Sequence, residues 1–567
     1  MFSTLPTTVD DFQYWDWAKI EPYFKDLEAR ELTGDNVIEW LSDRADISFL
    51  IGESYMRLYV GTTVDTTDEE TEKRYNAFLQ DVLEPANVAA QRLKEKLLAS
   101  GLQPAGYEIE LRNMRTEAEL FREDNVPLFT QESKLGTEYD RIVGAQTVQW
   151  EGEERTALKM RQAYQDADRE KRERAWRLVS ERQLADREAL NELWTRFLPL
   201  RRDIAGNADM PDYRAYRWRD FKRFDYSPDD CLRFHDAIEQ VVVPATRRIY
   251  EKRRQQLGVD SLRPWDLDVD PLGRTPLRPF TDVDTLNTTT LQIFNRVDPK
   301  LGEYFEIMMR ENLLDLDNRK GKGPGGYCTF FPVAGRPFIF MNAVGTHEDV
   351  QTLLHEGGHA FHAFEEHKLP IHLRAHAPIE FCEVASMGME HIAGRYLAKS
   401  QGGFYSDADA ARARIEHLQG DLLFWPYMAV VDAFQHWVYT HADDAMIPAN
   451  CDAEWGKQWN RFMSGIDYSG LEDVKLTGWH RKLHIFEIPF YYVDYGIAQL
   501  GAVQVWRNSL RDQPKAVADY LHGLSFGGTK SLPDLFSAAG AKLAMDADTL
   551  REAVELIETT VAELETA

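Results

Sequence analysis

Residues 353–362 read LLHEGGHAFH, which sets His355, Glu356 and His359 in an HExxH pattern. On a helix, residues four apart share a face, so His355 and His359 can turn two imidazoles toward one tetrahedral cation. Glu356, one residue on and rotated by about 100° around the axis, lies beside that face, within reach of a water on the cation. The chemistry implied is metal-assisted hydrolysis. A zinc-class ion lowers the pKa of water toward about 7 and polarises a carbonyl, while a neighbouring carboxylate moves the proton. Gly357 and Gly358 oppose a helix by about 1 kcal/mol each relative to alanine. Side-chain-free positions there permit close approach of another backbone, and with both imidazoles turned to a metal, Gly358 is expected to be needed for packing and Gly357 to be more replaceable.

A catalytic site of this kind needs a third protein ligand. The longer HExxHxxGxxH form is excluded, because His362 and Glu365 stand where glycine and histidine would be required. The alternative is a glutamate from a second helix, and PIEFCEVASMGMEHIAGRYL (378–397) reads as one, with Pro378 suited to its first turn. It offers Glu380, Glu383 and Glu390. The helix dipole explains a carboxylate at Glu380 equally well, so Glu383 is favoured as ligand. Glu390 reads either as an acceptor that orients a histidine or as a surface carboxylate or buried ion pair. Downstream, GWHRKLHIFEIPFYYVDYGIAQLG (478–501) carries a tyrosine cluster. Tyrosine stays a donor at neutral pH and can stabilise an oxyanion. Tyr492 and Tyr495, three apart, can share a face, and core aromatics with satisfied hydroxyls are the plainer reading for any one of them.

These residues need elements to hold them. The segment DNRKGKGPGGYCTFFPVAGRPFIFMNAVGTHEDV reads as a glycine loop, a strand from Tyr327, a turn at Ala334–Arg336, a second strand RPFIFMN, and then the HExxH helix. Thr346 is the expected cap of that helix, with Asp349 three residues on. YMRLYVGTTV near residue 60 has strand texture as well. Elsewhere, residues 71–100, the run from Glu151 to about Asp203, and a segment opening at Ser227 have the three- and four-residue apolar spacing of amphipathic helices. No strict heptad seam persists, so a helix bundle is favoured over a coiled coil. The break at RRDIAGNADMPDYRAYRW divides the chain into an N-terminal helical region with short strands, 1–205, and a zinc-site region, 206–567, with interleaved lobes expected.

The 567 residues hold 66 Lys plus Arg against 94 Asp plus Glu, a formal charge of -28. That excess argues against nucleic acid as a partner. The glycine loop and GGTKS (527–531) both lack phosphate-loop spacing. No basic-then-apolar leader and no apolar run of about 18 residues is visible, so neither export nor a membrane span is expected, and the cytoplasm is the default location. Cys231, Cys328, Cys382 and Cys451 are dispersed and read as free thiols.

Together, LLHEGGHAFH, the glutamate of EFCEVASMGME, HIFEIPFYYVDYGIA and YLHGLSFGGTKSLPDLFSAAG resemble oligoendopeptidase F, in the thimet oligopeptidase superfamily of zinc metallopeptidases. The resemblance is dense from about residue 200 to 545. It implies a mainly α, two-lobed, zincin-like protein with a small β-sheet beside the HExxH helix, and a deep channel that admits short unfolded peptides along an edge strand, here RPFIFMN. It implies one zinc ion per chain on His355, His359 and Glu383, Glu356 as the catalytic glutamate, and His484, Tyr492 and Tyr495 around the transition state, with Tyr491 adjacent to the first tyrosine. The activity it implies is internal cleavage of oligopeptides. A zinc carboxypeptidase and an inactive peptide-binding scaffold are the alternatives. Two features depart from the pattern: Gly357, where many relatives carry a bulky apolar residue, and extra histidines at His367, His372 and His376, which are surface groups or rival metal donors.

Overall fold

The computed structural model describes Phe2 and residues 4–566. Helices carry most of these residues, and the strands form two small sheets. Strands β1 (Thr147–Trp150) and β2 (Glu153–Thr156) make an antiparallel hairpin. Strands β3 (Leu314–Asp317), β4 (Tyr327–Phe331) and β5 (Arg336–Ala343) make a three-stranded sheet in the order β3-β5-β4.

Two of these strands lie where the sequence predicts them, joined by a turn in which Gly335 has φ 64°. The expectation that RPFIFMN forms an edge is corrected. β5 is the central strand, parallel to β3 and antiparallel to β4, so β3 and β4 are the edges. The physical reason is visible in its composition: Phe338, Ile339, Phe340 and Met341 are buried in succession, as a strand covered on both faces requires.

A second correction concerns YMRLYVGTTV, which belongs to the 28-residue helix Val37–Val64. Its aromatic texture suggests a strand over ten residues, but Ile47, Leu50, Ile51, Ser54 and Leu58 are buried at the spacing of a helix. Glu53 of this helix accepts the backbone N–H groups of Val333 and Ala334 at 2.7 and 2.9 Å, and the Thr63 hydroxyl lies 2.6 Å from the Tyr327 hydroxyl. The helix Val37–Val64 is thereby fixed to the β4–β5 hairpin.

The architecture is two-lobed. One apolar cluster draws on residues from Val9 to Met114, including Phe24, Trp40 and Leu93, while the principal core runs from Val60 and Leu120 to Ile557. Within that core the helix Ile379–Gly394 packs between the HExxH helix, His347–Glu366, and the helix Tyr492–Arg511. The 34-residue helix Asp407–Thr440 also packs against Tyr492–Arg511. Start signals behave as read. Thr346 forms a capping box with Asp349, and Ser227 forms one with Asp230. Pro378 occupies the cap position itself, one residue before the helix begins.

Candidate metal centre and active site

The double glycine is where the two ligand-bearing helices meet. A Cβ built on Gly358 would lie 2.4 Å from the Ala385 carbonyl oxygen and 2.6 Å from the Ser386 Cα, both backbone atoms of the facing helix. A Cβ on Gly357 would instead meet the Phe294 ring, 2.6 Å from Cζ. Gly358 therefore sets the separation of two backbones, whereas Gly357 accommodates one buried side chain.

That close approach brings Glu383 against the histidine pair. His355 Nε2 lies 3.4 Å and His359 Nε2 3.8 Å from Glu383 Oε2, and the two imidazole centroids are 5.0 Å apart at 83°. One ligand atom from each of the three residues lies within 4.8 Å of the others. Zinc bonds of about 2.0–2.1 Å in a tetrahedron place ligand atoms roughly 3.3 Å apart, so two imidazole nitrogens and a carboxylate oxygen at these separations fit a zinc-class ion.

Neighbouring groups hold the donors in place. Ser386 Oγ donates to Glu383 Oε2 at 2.9 Å, and His355 Nδ1 lies 2.7 Å from Glu390 Oε1. A proton on Nδ1 facing Glu390 would leave His355 Nε2 free to face an ion. Burial pushes the His355 pKa down, but Glu390, Glu383 and Glu356 outweigh it and hold the imidazole up to about 9. A cation is the natural replacement for that proton. Glu380 points elsewhere: it accepts from Tyr226 Oη at 2.6 Å, beside Arg223 and Asp494. His367, His372 and His376 join no cluster of potential metal donors among the described residues.

Glu356 is buried, and the backbone N–H of Cys328 in edge strand β4 is among the groups that hold its carboxyl down. Burial pushes its carboxyl up to about 7, against the opposing effect of His355. A carboxyl in that range exchanges protons readily near neutrality.

His484 lies on a short helical turn, Leu483–Phe486, and faces the tyrosine cluster. Its ring centroid is 4.9 Å from Tyr492, 6.0 Å from Tyr491 and 6.2 Å from Tyr495. Burial, then Lys482, lowers the His484 pKa to about 4, so its imidazole is neutral at pH 7. The adjacent tyrosines diverge. The Tyr491 ring packs edge-on against Tyr495, with centroids 5.4 Å apart, and both feel the Glu383 charge. Tyr492 packs into an aromatic wall with Phe424 and Tyr427, with the Lys482 ammonium 3.7 Å from its ring centre.

Reading the sequence alone misses the groups that hold this loop. Gln435 reaches both its ends, donating to the His484 carbonyl at 3.5 Å and accepting from the Phe490 N–H at 2.6 Å. Arg201 donates to the carbonyls of Ile485 and Phe486, and Arg223 donates to that of Phe490. Phe490 itself has φ 69°, a conformation costly for a non-glycine residue that the surrounding donors enforce. A glutamine inside the apolar run VVDAFQHWVY was the available signal.

A mainly helical fold in which an HExxH helix meets a glutamate-bearing helix has the architecture of the helical metallopeptidases. More narrowly, residues 162–555 match peptidase family M3, and the chain belongs to that family. The match spans every site residue named above. Oligopeptidase PepF of Bacillus subtilis (strain 168) is 23% identical over 311 residues, covering 53% of this chain and 44% of that protein. The chromosomal oligoendopeptidase F of Lactococcus lactis subsp. cremoris is 23% identical over 343 residues, covering 57% of this chain and 52% of that protein. The matches thus span about half the length of these curated relatives. A solved structure of PZ peptidase A with an inhibitor is similar over 97% of this chain and 98% of that one, with a TM-score of 0.85 and 26% identity.

Proposed function

We propose that the chain is a zinc-dependent endopeptidase that cleaves internal bonds of short, unfolded oligopeptides, with one catalytic zinc on His355, His359 and Glu383. The observation that carries this reading is the convergence of those three donors beside the buried Glu356. Zinc, when bound, would polarise the scissile carbonyl and acidify a water.

The chain's own residues do the rest. Glu356 takes a proton from the attacking water as its oxygen bonds to the carbonyl carbon. The same carboxyl then delivers that proton to the amine nitrogen as the C–N bond breaks. Hydroxyl groups of Tyr491 and Tyr495, together with an N–H of neutral His484, supply donors for the oxyanion. Tyr492 contributes by packing. Peptide substrate has unpaired backbone groups to offer an edge, and here that edge is β4 rather than β5.

A reducing compartment such as the cytoplasm suits the four free cysteines. Among the described residues no helix is long and apolar enough to cross a membrane. The test is a quenched peptide of about ten residues, with products mapped by mass for wild type and Glu356→Gln. Internal cleavage lost in the variant supports the proposal. Stepwise removal of C-terminal residues would indicate a carboxypeptidase instead, and a zinc-loaded but inactive wild type would indicate a peptide-binding scaffold.

A further inference from the structure

Behind the catalytic cluster lies a second group with the same donor chemistry. His391 is on the Glu383 helix, while His417 and Asp421 sit one turn apart on the helix Asp407–Thr440. One ligand atom from each of the three lies within 4.8 Å of the others. The imidazole centroids are 4.9 Å apart at 81°, against 5.0 Å and 83° for His355 and His359. Both groups offer two imidazoles and one carboxylate.

This second group is left polar and incomplete by the fold. His391 is 4% and Asp421 7% exposed. His391 Nδ1, His417 Nε2 and Asp421 Oδ2 are buried and have no hydrogen-bond partner, although Asp421 Oδ2 lies 3.3 Å from His391 Nε2. Unpaired polar atoms in such a setting destabilise the fold unless a ligand satisfies them. Gln499 Nε2 lies 3.3 Å from His391 Nε2, and the Trp506 ring stacks on His391, fixing its plane. Burial, reinforced by Glu390, pushes the Asp421 carboxyl well up, and burial pushes both imidazoles down. The other donor group of this kind, Cys231 with Asp432 and His436, differs because His235 already bonds Asp432 at 2.9 Å.

We propose that His391, His417 and Asp421 form a second site for a divalent transition-metal cation of the zinc class, linked to the catalytic centre through Glu390. Coordination takes neutral imidazoles and a carboxylate, so any proton on these donor atoms leaves to solvent as the cation binds. The free nitrogen of His417 is Nε2, and its Nδ1 faces Glu390 Oε2 at 3.6 Å. Coordination through Nε2 places the His417 proton on Nδ1, directed at the carboxylate whose other oxygen holds His355. The second cation thus steadies a His417–Glu390–His355 chain. That coupling rests on the catalytic reading above; the existence of the site does not.

The test is metal content of the full-length chain, stripped with a chelator and dialysed against zinc chloride. Two zinc ions per chain are expected for wild type, one each for Asp421→Asn and Glu383→Ala, and none for the double variant. Wild type holding one ion and Glu383→Ala holding none would overturn the proposal. If Asp421→Asn fails to fold, Glu383→Ala alone decides, because a retained ion must sit elsewhere than the catalytic cluster. In that background zinc also raises the melting temperature, and its failure to do so counts against the site. A chain that loses its only ion on Asp421→Asn but keeps it in Glu383→Ala would uphold the second site and refute the catalytic one.

Discussion

Alanine at Gly358 tests how the two ligand helices are held together. Carbon atoms in good contact sit about 3.5 Å or more apart. The added Cβ would lie 2.6 Å from Ser386 Cα, so the helices must separate by roughly 0.9 Å. Because the obstacle is backbone, no rotamer change relieves it. Overpacking of this kind costs about 1–3 kcal/mol, offset by about 1 kcal/mol of improved helix propensity, for a net loss approaching about 2 kcal/mol. Glu383 lies two residues before Ala385, so the shift carries it away from His355 and His359, and zinc affinity falls by about tenfold, equivalent to about 1.4 kcal/mol. Gly357→Ala meets a side chain, the Phe294 ring, and not a helix backbone, so the ligand helices keep their separation and the loss is smaller than at Gly358. Zinc affinity by chelator competition, and melting midpoints with and without zinc, separate the two variants. A larger loss at 357, or unchanged zinc affinity in Gly358→Ala, would refute the reasoning.

Glu390→Gln keeps the shape beside His355 Nδ1 but removes the charge, and zinc affinity should fall about 10- to 100-fold in the same competition assay. Tyr491→Phe and Tyr495→Phe should each lower kcat by about 10²–10³ with KM little changed, while Tyr492→Phe leaves kcat within a few-fold; the reverse order in steady-state kinetics would exchange the roles of the neighbours. His480 is buried against Asn191, with its pKa lowered by burial, then by Arg481 and Arg187, to about 3. Its depressed value means the unfolded chain takes up a proton first. Stability is fully present above the ordinary histidine value of about 6.5 and is lost as pH falls from there toward about 3, so His480→Gln should flatten the decline of denaturation midpoint across that window.

Much of the site was legible because helix periodicity alone places His355 and His359 on one face and makes Glu356 their neighbour. The Thr346 cap and the β4–β5 hairpin followed from local chemistry, which the fold retains. What was not legible depends on contacts distant in sequence. β3 is four residues long, and its pairing with β5 makes a central strand of one that local texture could only identify as a strand. The helix through YMRLYVGTTV is settled by its buried face over 28 residues, not by the aromatic residues at its end. The packing of Tyr492 against Phe424 and Tyr427, and of Tyr491 against Tyr495, is likewise set by the fold and not by the local pattern. The anchors Gln435, Arg201 and Arg223 act on the His484 loop from up to 285 residues away, a relation no local pattern encodes.

The most direct measurement of the central claim is the product map of a ten-residue peptide, run with zinc-loaded wild type and with Glu356→Gln at equal zinc content. Internal fragments from wild type, with their rate reduced by several orders of magnitude in the variant, are the predicted result. Undiminished internal cleavage by Glu356→Gln would contradict the account, since the proton transfers assigned to that carboxylate would then belong to another group.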